Sequence, residues 1–546
     1  MRADPFIFRL LDGLARGFIL AASAGGLLLG LLAAFGWFAP LGRTQFTLEI
    51  WQGLFAAPGF WRGVMLSLWV GFAASALSLA ITLAILADAQ GRAWFSWLRH
   101  GLAPLLSVPH AAVALGFAFV FAPSGLLFRL LGFDTPPDVA SIRDAYGLAL
   151  IAGLVLKEVP FLFLVSLAGL PQLRPDIRMA SARMLGYGRR TAFLKAVAPG
   201  LYPLIRLPFF AVIAYSAAPP EMALILGPQE PPLLVVSLLR MMQSPELDTR
   251  LAANAGAMVQ LGIVLLLLMV WWLVETCAPR GLVSNGSRHA GALAVALIAK
   301  IAGAFILLSA GLALVSLVLW SLALSWRFPA LLPQGLQWQT WAGALWQAGP
   351  PLLASLWLAA ASAFTGLWLA VAGLMRQRPD GFDYAPLILP QLALLMGLQM
   401  LPLPPSAFGF MVFLAHVLFV LPYVRLSLVG PWRNLDGRYA QVAQSLGAGP
   451  MAVFFRVQLP LLTGPLLTAF AVGFAVSVGL YLPSLMISGG RLVTITTEAV
   501  ALSSGGDRRV IAAYGLLQAI LPFTGFALAA LLPPLLFRHR AGMRGK

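Results

Sequence analysis

The chain has 546 residues, of which 60% are hydrophobic and only 10% charged, and its mean hydropathy is +0.88. Many apolar runs exceed the roughly 18 residues that a helix needs to cross a bilayer, which excludes a soluble globular protein and indicates an all-α polytopic membrane protein. The net charge of +17 sits mostly in short segments between the runs, where topology signals and anionic lipid headgroups act, so it points to membrane lipid and against nucleic acid; the one cysteine, Cys277, excludes an intrachain disulfide and a thiolate metal cluster.

In chain order, Arg2, Arg9 and Arg16 precede the first run, and Ala22–Ala24 has the look of a signal-peptidase site. The run nevertheless continues to about Phe38, too long for a signal peptide, and reads as an uncleaved first span. Six spans are predicted in the first half, near Leu14–Phe38, Gly63–Ala87, Gly101–Pro123, Gly147–Leu170, Leu201–Leu226 and Ala253–Val274. Six more follow near Gly291–Leu324, Pro351–Leu374, Pro386–Leu401, Ser406–Val429, Leu461–Ser488 and Val510–Phe537. The ninth is short, because `LPLPP` at Leu401–Pro405 leaves almost no loop before the tenth. The densest basic loops fall inside when the N-terminus is cytoplasmic, so both termini are predicted there.

The halves repeat. `MLSLW` at Met65–Trp69 answers `LASLW` at Leu353–Trp357, Pro109 answers Pro390, and Pro160 answers Pro422. An even number of spans per half makes the halves parallel, related by an axis along the membrane normal. The division expected is a first unit over 1–277, a cytoplasmic linker over 278–291 rich in Gly, Ser and Asn, and a second unit over 292–546.

The clearest repeat lies between spans. After the fourth span of each half comes a short segment reading Ala, three residues, Gly, twelve residues, Pro: Ala182, Gly186 and Pro199 in the first copy, Ala443, Gly447 and Pro460 in the second. Six of the eighteen positions from Ala182 to Pro199 are identical in Ala443–Pro460 without a gap. Glycine there permits the sharp turn that ends a short helix, small residues let another protein approach the backbone, Phe193 and Phe454 can anchor the loop, and the proline opens the next span.

This pattern resembles the EAA loop of the membrane subunits of ABC importers, Glu-Ala-Ala, three residues, Gly, nine residues, Ile, one residue, Leu-Pro. The second copy keeps the spacing, with Val457 at the Ile position and Leu459–Pro460 at the end; the first has Ala196 and Ala198–Pro199. The motif Glu is replaced by Ala180 and Gln441, for which Arg183, Arg189, Arg190 and Lys195 are candidate substitutes in the first copy. The resemblance implies a type I ABC importer permease fold with two permease units fused in one chain. It implies coupling loops over 176–199 and 437–460 that transmit closure of a cytoplasmic ATPase dimer, an extracytoplasmic substrate-binding protein as second partner, and a bacterial inner-membrane location. ATP and Mg would be held by the partner ATPase, since this chain has no Gly-rich phosphate loop followed by Lys and Ser or Thr and is not expected to be an enzyme. `PHAAVALGFAFVFAPSG` and `LKEVPFLFL` look most like thiamine-type permeases of the thiamine and ferric-iron branch, which implies thiamine or a related cation as substrate, with ferric iron the alternative.

Three ionisable residues fall within the spans. Lys157 and Glu158 lie mid-span in the fourth, where Phe419 and Val420 align in the other half, and Glu221 follows Pro219–Pro220 near the outer end of the fifth. Groups at such depth are costly: Lys157 and Glu158 read as a structural ion pair or a contact closing the gate, or Glu158 as lining the path of a cationic substrate, and Glu221 as a gate or an outer-surface kink without a transport role. His110 and His416 read as hydrogen-bonded packing residues, and Trp69 and Trp357 as packing. No metal site is expected. An ion-coupled secondary transporter is the competing class, but it predicts more midplane carboxylates than Glu158 and leaves the paired loops unexplained. A membrane enzyme would need an acid, base and nucleophile cluster that the sequence does not show.

Overall fold

A computed structural model describes residues 6–89, 92–139, 141–284, 287–288, 292–376, 381–402 and 404–536. Among them helices dominate and no β-sheet forms, as expected where each backbone polar group must be satisfied within its own segment. The helices that matter for the site in the first half are α1 (Phe6–Ala34), α2 (Phe60–Ala89), α3 (Ala93–Ser107), α4 (His110–Phe121), α5 (Leu148–Gly169), the short α6 (Pro175–Met184), α7 (Ala198–Ala217), α8 (Pro220–Leu226) and α9 (Leu247–Ser284). In the second half they are α10 (Ala292–Leu322), α11 (Gln339–Met375), α12 (Ala385–Ile388), α13 (Gln391–Leu398), α14 (Phe408–Arg433), α15 (Gly437–Ser445), α16 (Thr463–Gly479), α17 (Leu482–Ser488) and α18 (Arg508–Leu536).

Ten of the described helices are long and apolar enough to cross a membrane, and an eleventh pass is formed by Pro450–Leu461 with α16, bent by 77°. The expected ninth span is the one with no helix or bent pair long enough to cross among the described residues. It is not a continuous helix but the pair α12 and α13, interrupted at Leu389–Pro390. The same interruption divides the expected third span into α3 and α4 at Val108–Pro109. Proline cannot donate to the preceding turn and pushes the residue before it into extended backbone, which is the state of both Val108 and Leu389. The fifth and eleventh spans break too, α7 from α8 at Ala218–Pro219 and α16 from α17 at Leu480–Tyr481. Broken helices at membrane depth are tolerated where the freed backbone is covered by protein or lines a cavity.

In each half three helices pack on one another: α2, α5 and α7 in the first, α11, α14 and α16 in the second. The first helix of each half lies against the other half. α1 packs on α13 and α11, and α10 packs on α2 and α4. At the α1–α13 crossing the backbones touch, since a Cβ on Gly26 would stand 2.7 Å from the Leu394 carbonyl oxygen and one on Gly397 would overlap the Gly26 carbonyl. Near its start α1 buries Asp12, whose carboxylate accepts from Arg16 at 3.2 Å and from Arg376, at the end of α11, at 2.7 Å. Gly397→Val is expected to cost about 3 kcal/mol or more of stability, because neither backbone can retreat from the added methyls; the measurement is the unfolding midpoint in detergent against the wild type.

The predicted linker differs from a plain loop. α9 continues through its first residues to Ser284, Ser287–Arg288 lie against the first short loop, and the remainder lies outside the described residues, as does the basic tail from residue 537.

Candidate functional site

The two repeated segments fold alike. α6 and α15 each end in a left-handed glycine, Gly186 with φ +85° and Gly447 with φ +82°. In the first, the Gly186 N–H donates to Arg183 O at 2.9 Å and the Tyr187 N–H to Ala182 O at 3.3 Å; in the second, Gly447 donates to Gln444 O at 2.9 Å and Ala448 to Ala443 O at 3.0 Å. These are the paired bonds of a Schellman cap, and they explain the spacing Ala-x-x-x-Gly: the alanine carbonyl closes the turn that the glycine makes. A π-helical turn follows in each copy, Phe193–Val197 and Phe454–Gln458, before Pro199 and Pro460 enter the first turn of the next helix.

Both segments leave the same end of the bundle. Asp436, Gly437 and Ala440 of the second share a hollow of about 700 Å³ with Leu207 of α7, the helix into which the first leads. Asp436 caps α15, accepting from the Arg438 N–H at 2.9 Å, and the Arg438 guanidinium holds its carboxyl below the usual range. Ala182 and Ala440 turn inward, Arg183 is exposed, and the apolar side chains that project furthest are Met184 at 89%, Leu185 at 66% and Leu446 at 82% exposure. Leu185 and Leu446 occupy the same place in the repeat, and their identity in the two copies was the signal available in sequence.

Phe193 and Phe454 do the opposite of facing a partner. Both are buried, and Phe454 packs edge-on against Phe8 of α1 with ring centroids 5.1 Å apart. They anchor the loops to the bundle. Of the basic residues considered as substitutes for the missing Glu, two are spent internally. The Arg190 Nε donates to the buried Asp88 at 2.5 Å, and the Lys195 Nζ to Ser287 O at 2.8 Å.

A second site lies midway along the spans. Lys157 and Glu158 are neighbours in α5 but point to different partners. The Lys157 ammonium donates to the carbonyls of Leu105 and Leu106 at 3.0 Å and of Val108 at 2.6 Å, the groups that the break after α3 leaves without helical donors. A cation at a helix C-terminus also complements its dipole. Lys157 is thus a cap on broken backbone. Glu158 meets His110, the first residue of α4, with Oε1 3.2 Å from Nε2. The His110 ring lies 4.3 Å from that of Tyr215, whose hydroxyl donates to Glu221 Oε1 at 2.7 Å. Glu221 is therefore buried in this chain of contacts, directly after the break between α7 and α8. From the other half, Tyr423 of α14 comes within electrostatic reach of Glu158, and Tyr481, at the α16–α17 break, within reach of Glu221.

His416 behaves as the sequence predicts, set between Ser477 Oγ at 2.8 Å and Ser484 Oγ at 3.0 Å, whereas His110 joins the polar cluster. Trp69 and Trp357 do not pack in the core but face outward. Among the described residues no three His, Cys, Asp or Glu side chains converge on a metal position.

Repeated halves of broken membrane spans, each with one glycine-capped surface helix at the same end, define a membrane permease. The chain is 31% identical over 525 residues, 91% of its length and 93% of the other's, to the inner membrane ABC transporter permease protein YnjC of Escherichia coli (strain K12). It belongs to the ABC transporter inner-membrane permeases. Shorter stretches are similar to the spermidine/putrescine transport system permease protein PotC homolog of Mycoplasma pneumoniae, 27% identical over 25% of this chain and 47% of that one. Others are similar to the molybdenum transport system permease protein ModB of Azotobacter vinelandii, 36% identical over 20% of this chain and 48% of that one. No family model matches.

Proposed function

We propose that this chain is a fused importer permease that carries a small cation inward by alternating access, driven by two ATPase subunits docked on the loops around Gly186 and Gly447. The carrying observation is the pair of Schellman-capped helices at one end of the bundle, each presenting an exposed leucine, Leu185 and Leu446. An exposed apolar knob on a rigid turn is what a groove in a partner can hold. Closure of the ATPase dimer would draw the two turns together, and the helices that follow them, α7 directly and α16 after its 77° bend, would swing with them to exchange outward and inward openings. ATP and Mg belong to the ATPase; a binding protein delivers the solute from the extracytoplasmic side, and both termini face the cytoplasm.

For the solute we favour thiamine or a related organic cation over ferric iron, since the buried carboxylates Glu158 and Glu221 suit positive charge and, among the described residues, are not gathered as metal ligands. The similarity to permeases named for spermidine and putrescine supports an organic cation; the one to permeases named for molybdenum does not. The test is co-purification of the full chain from membranes in mild detergent. An ATPase should accompany the wild type and be lost from the double variant Leu185→Asp, Leu446→Asp. An ATPase retained by the double variant, or absent from the wild type while the chain alone takes up solute down an ion gradient, rejects the coupling reading.

A further inference from the structure

Resting on that reading and specifying its solute site, the geometry points to a binding site for a small organic cation between Glu158 and Glu221, walled by His110 and Tyr215 from one half of the chain and by Tyr423 and Tyr481 from the other. Several observations converge on it. Both carboxylates are buried, Glu158 near the middle of α5 and Glu221 in α8 just past the break in the fifth span, and neither has a Lys or Arg ion pair among the described residues. Lys157, the adjacent cation, is occupied by three carbonyls. A buried carboxylate without a cation is costly, and a ligand that brings one recovers that cost.

The surrounding groups are also incomplete. Tyr481, at the α16–α17 break, is only 8% exposed, yet its hydroxyl makes no hydrogen bond among the described residues, and it is within electrostatic reach of Glu221. Tyr423 is half-buried in the same condition beside Glu158. His110, at mid-span, keeps 28% of its side chain accessible, which marks open space next to the Glu158 carboxylate. Aromatic faces beside carboxylates attract an organic cation by ring quadrupole and charge together, and phenol hydroxyls can accept from an ammonium or donate to the carboxylates that face it.

The division between halves has a mechanical meaning. The charges sit on α5 and α8, the unpaired phenols on α14 and at the α16–α17 break. A motion of one half against the other therefore separates the walls of the site, so that affinity falls as the halves part and the cation is released.

The experiment uses the full chain in nanodiscs, with thiamine and putrescine as cationic probes and molybdate as anionic control, read as a shift in thermal unfolding midpoint over a concentration series. At least one cation should stabilise the wild type and molybdate should not. Glu158→Gln and Glu221→Gln should each weaken the cation about tenfold or more, the loss of one charge-assisted contact. Tyr481→Phe, which removes a hydroxyl bonded to nothing and so leaves folding intact, should weaken it several-fold. No stabilisation by either cation, equal stabilisation of wild type and variants, or stabilisation by molybdate overturns the site. ATPase co-purification of the same variants is the independent readout. It should be unchanged, and its absence from the wild type would sink the coupling reading while leaving the cation result to stand.

Discussion

Gly447→Val is expected to reduce solute uptake and ATPase co-purification about tenfold or more while the unfolding midpoint of the bundle barely moves. Gly447 adopts φ +82°, and a β-branched residue there is a genuine outlier. The left-handed conformation costs an ordinary L-residue roughly 1–2 kcal/mol, and more with a branched Cβ. About 1.4 kcal/mol is already a factor of ten in the population of the correct turn. Nothing lies within 4 Å of a Cβ built on Gly447, so the substitution meets no clash inside the chain and its effect comes from the backbone alone. Gly447→Ala should fall between the two. Gly186 is the less clean test, because a Cβ there would stand 3.2 Å from the Arg288 guanidinium and would disturb that contact as well. Wild-type uptake by Gly447→Val would mean that the left-handed cap is dispensable to coupling.

The second large effect concerns stability and not transport. Lys157→Met should destabilise the chain by about 3 kcal/mol or more, since three carbonyls at the α3 break lose the buried ammonium that donates to them. The readouts are the unfolding midpoint in detergent and accumulation in the membrane. Glu158→Gln, one residue on, should leave both nearly unchanged and act on solute binding. If the two variants exchanged behaviour, the roles assigned here to neighbouring residues would be reversed.

What the sequence showed and what it hid divide along physical lines. The loops were legible because their geometry demands particular residues: a left-handed turn needs Gly186 and Gly447, and the repeat preserves the alanine whose carbonyl closes it. The direction of Phe193 and Phe454 was not, because a short amphipathic turn has a bundle side and a solvent side and spacing alone does not say which is which. Leu185 and Leu446 were passed over for the same reason. The pairing of Pro109 with Pro390 was visible as similarity, but only the structure shows that both interrupt a span, and that a 48-residue separation is closed when the first interruption brings His110 to Glu158. Lys157 and Glu158, adjacent and of opposite sign, invite a pairing in sequence that the helix denies, since successive side chains diverge around its axis.

The exchange of first helices sets a timetable for biogenesis. Asp12 leaves the ribosome well before the arginine that completes its ion pair, Arg376, which follows 364 positions later. At 5–20 residues per second that is a wait of about 20 to 70 s. Through that interval α1 has no α13 to lie against, and Gly26 holds open a place for Gly397. These contacts thus join α1 to helices made more than 300 residues later. A nascent chain that stalls midway carries an unfinished ion pair and an uncovered glycine face, marks by which membrane quality control could tell it from a finished permease.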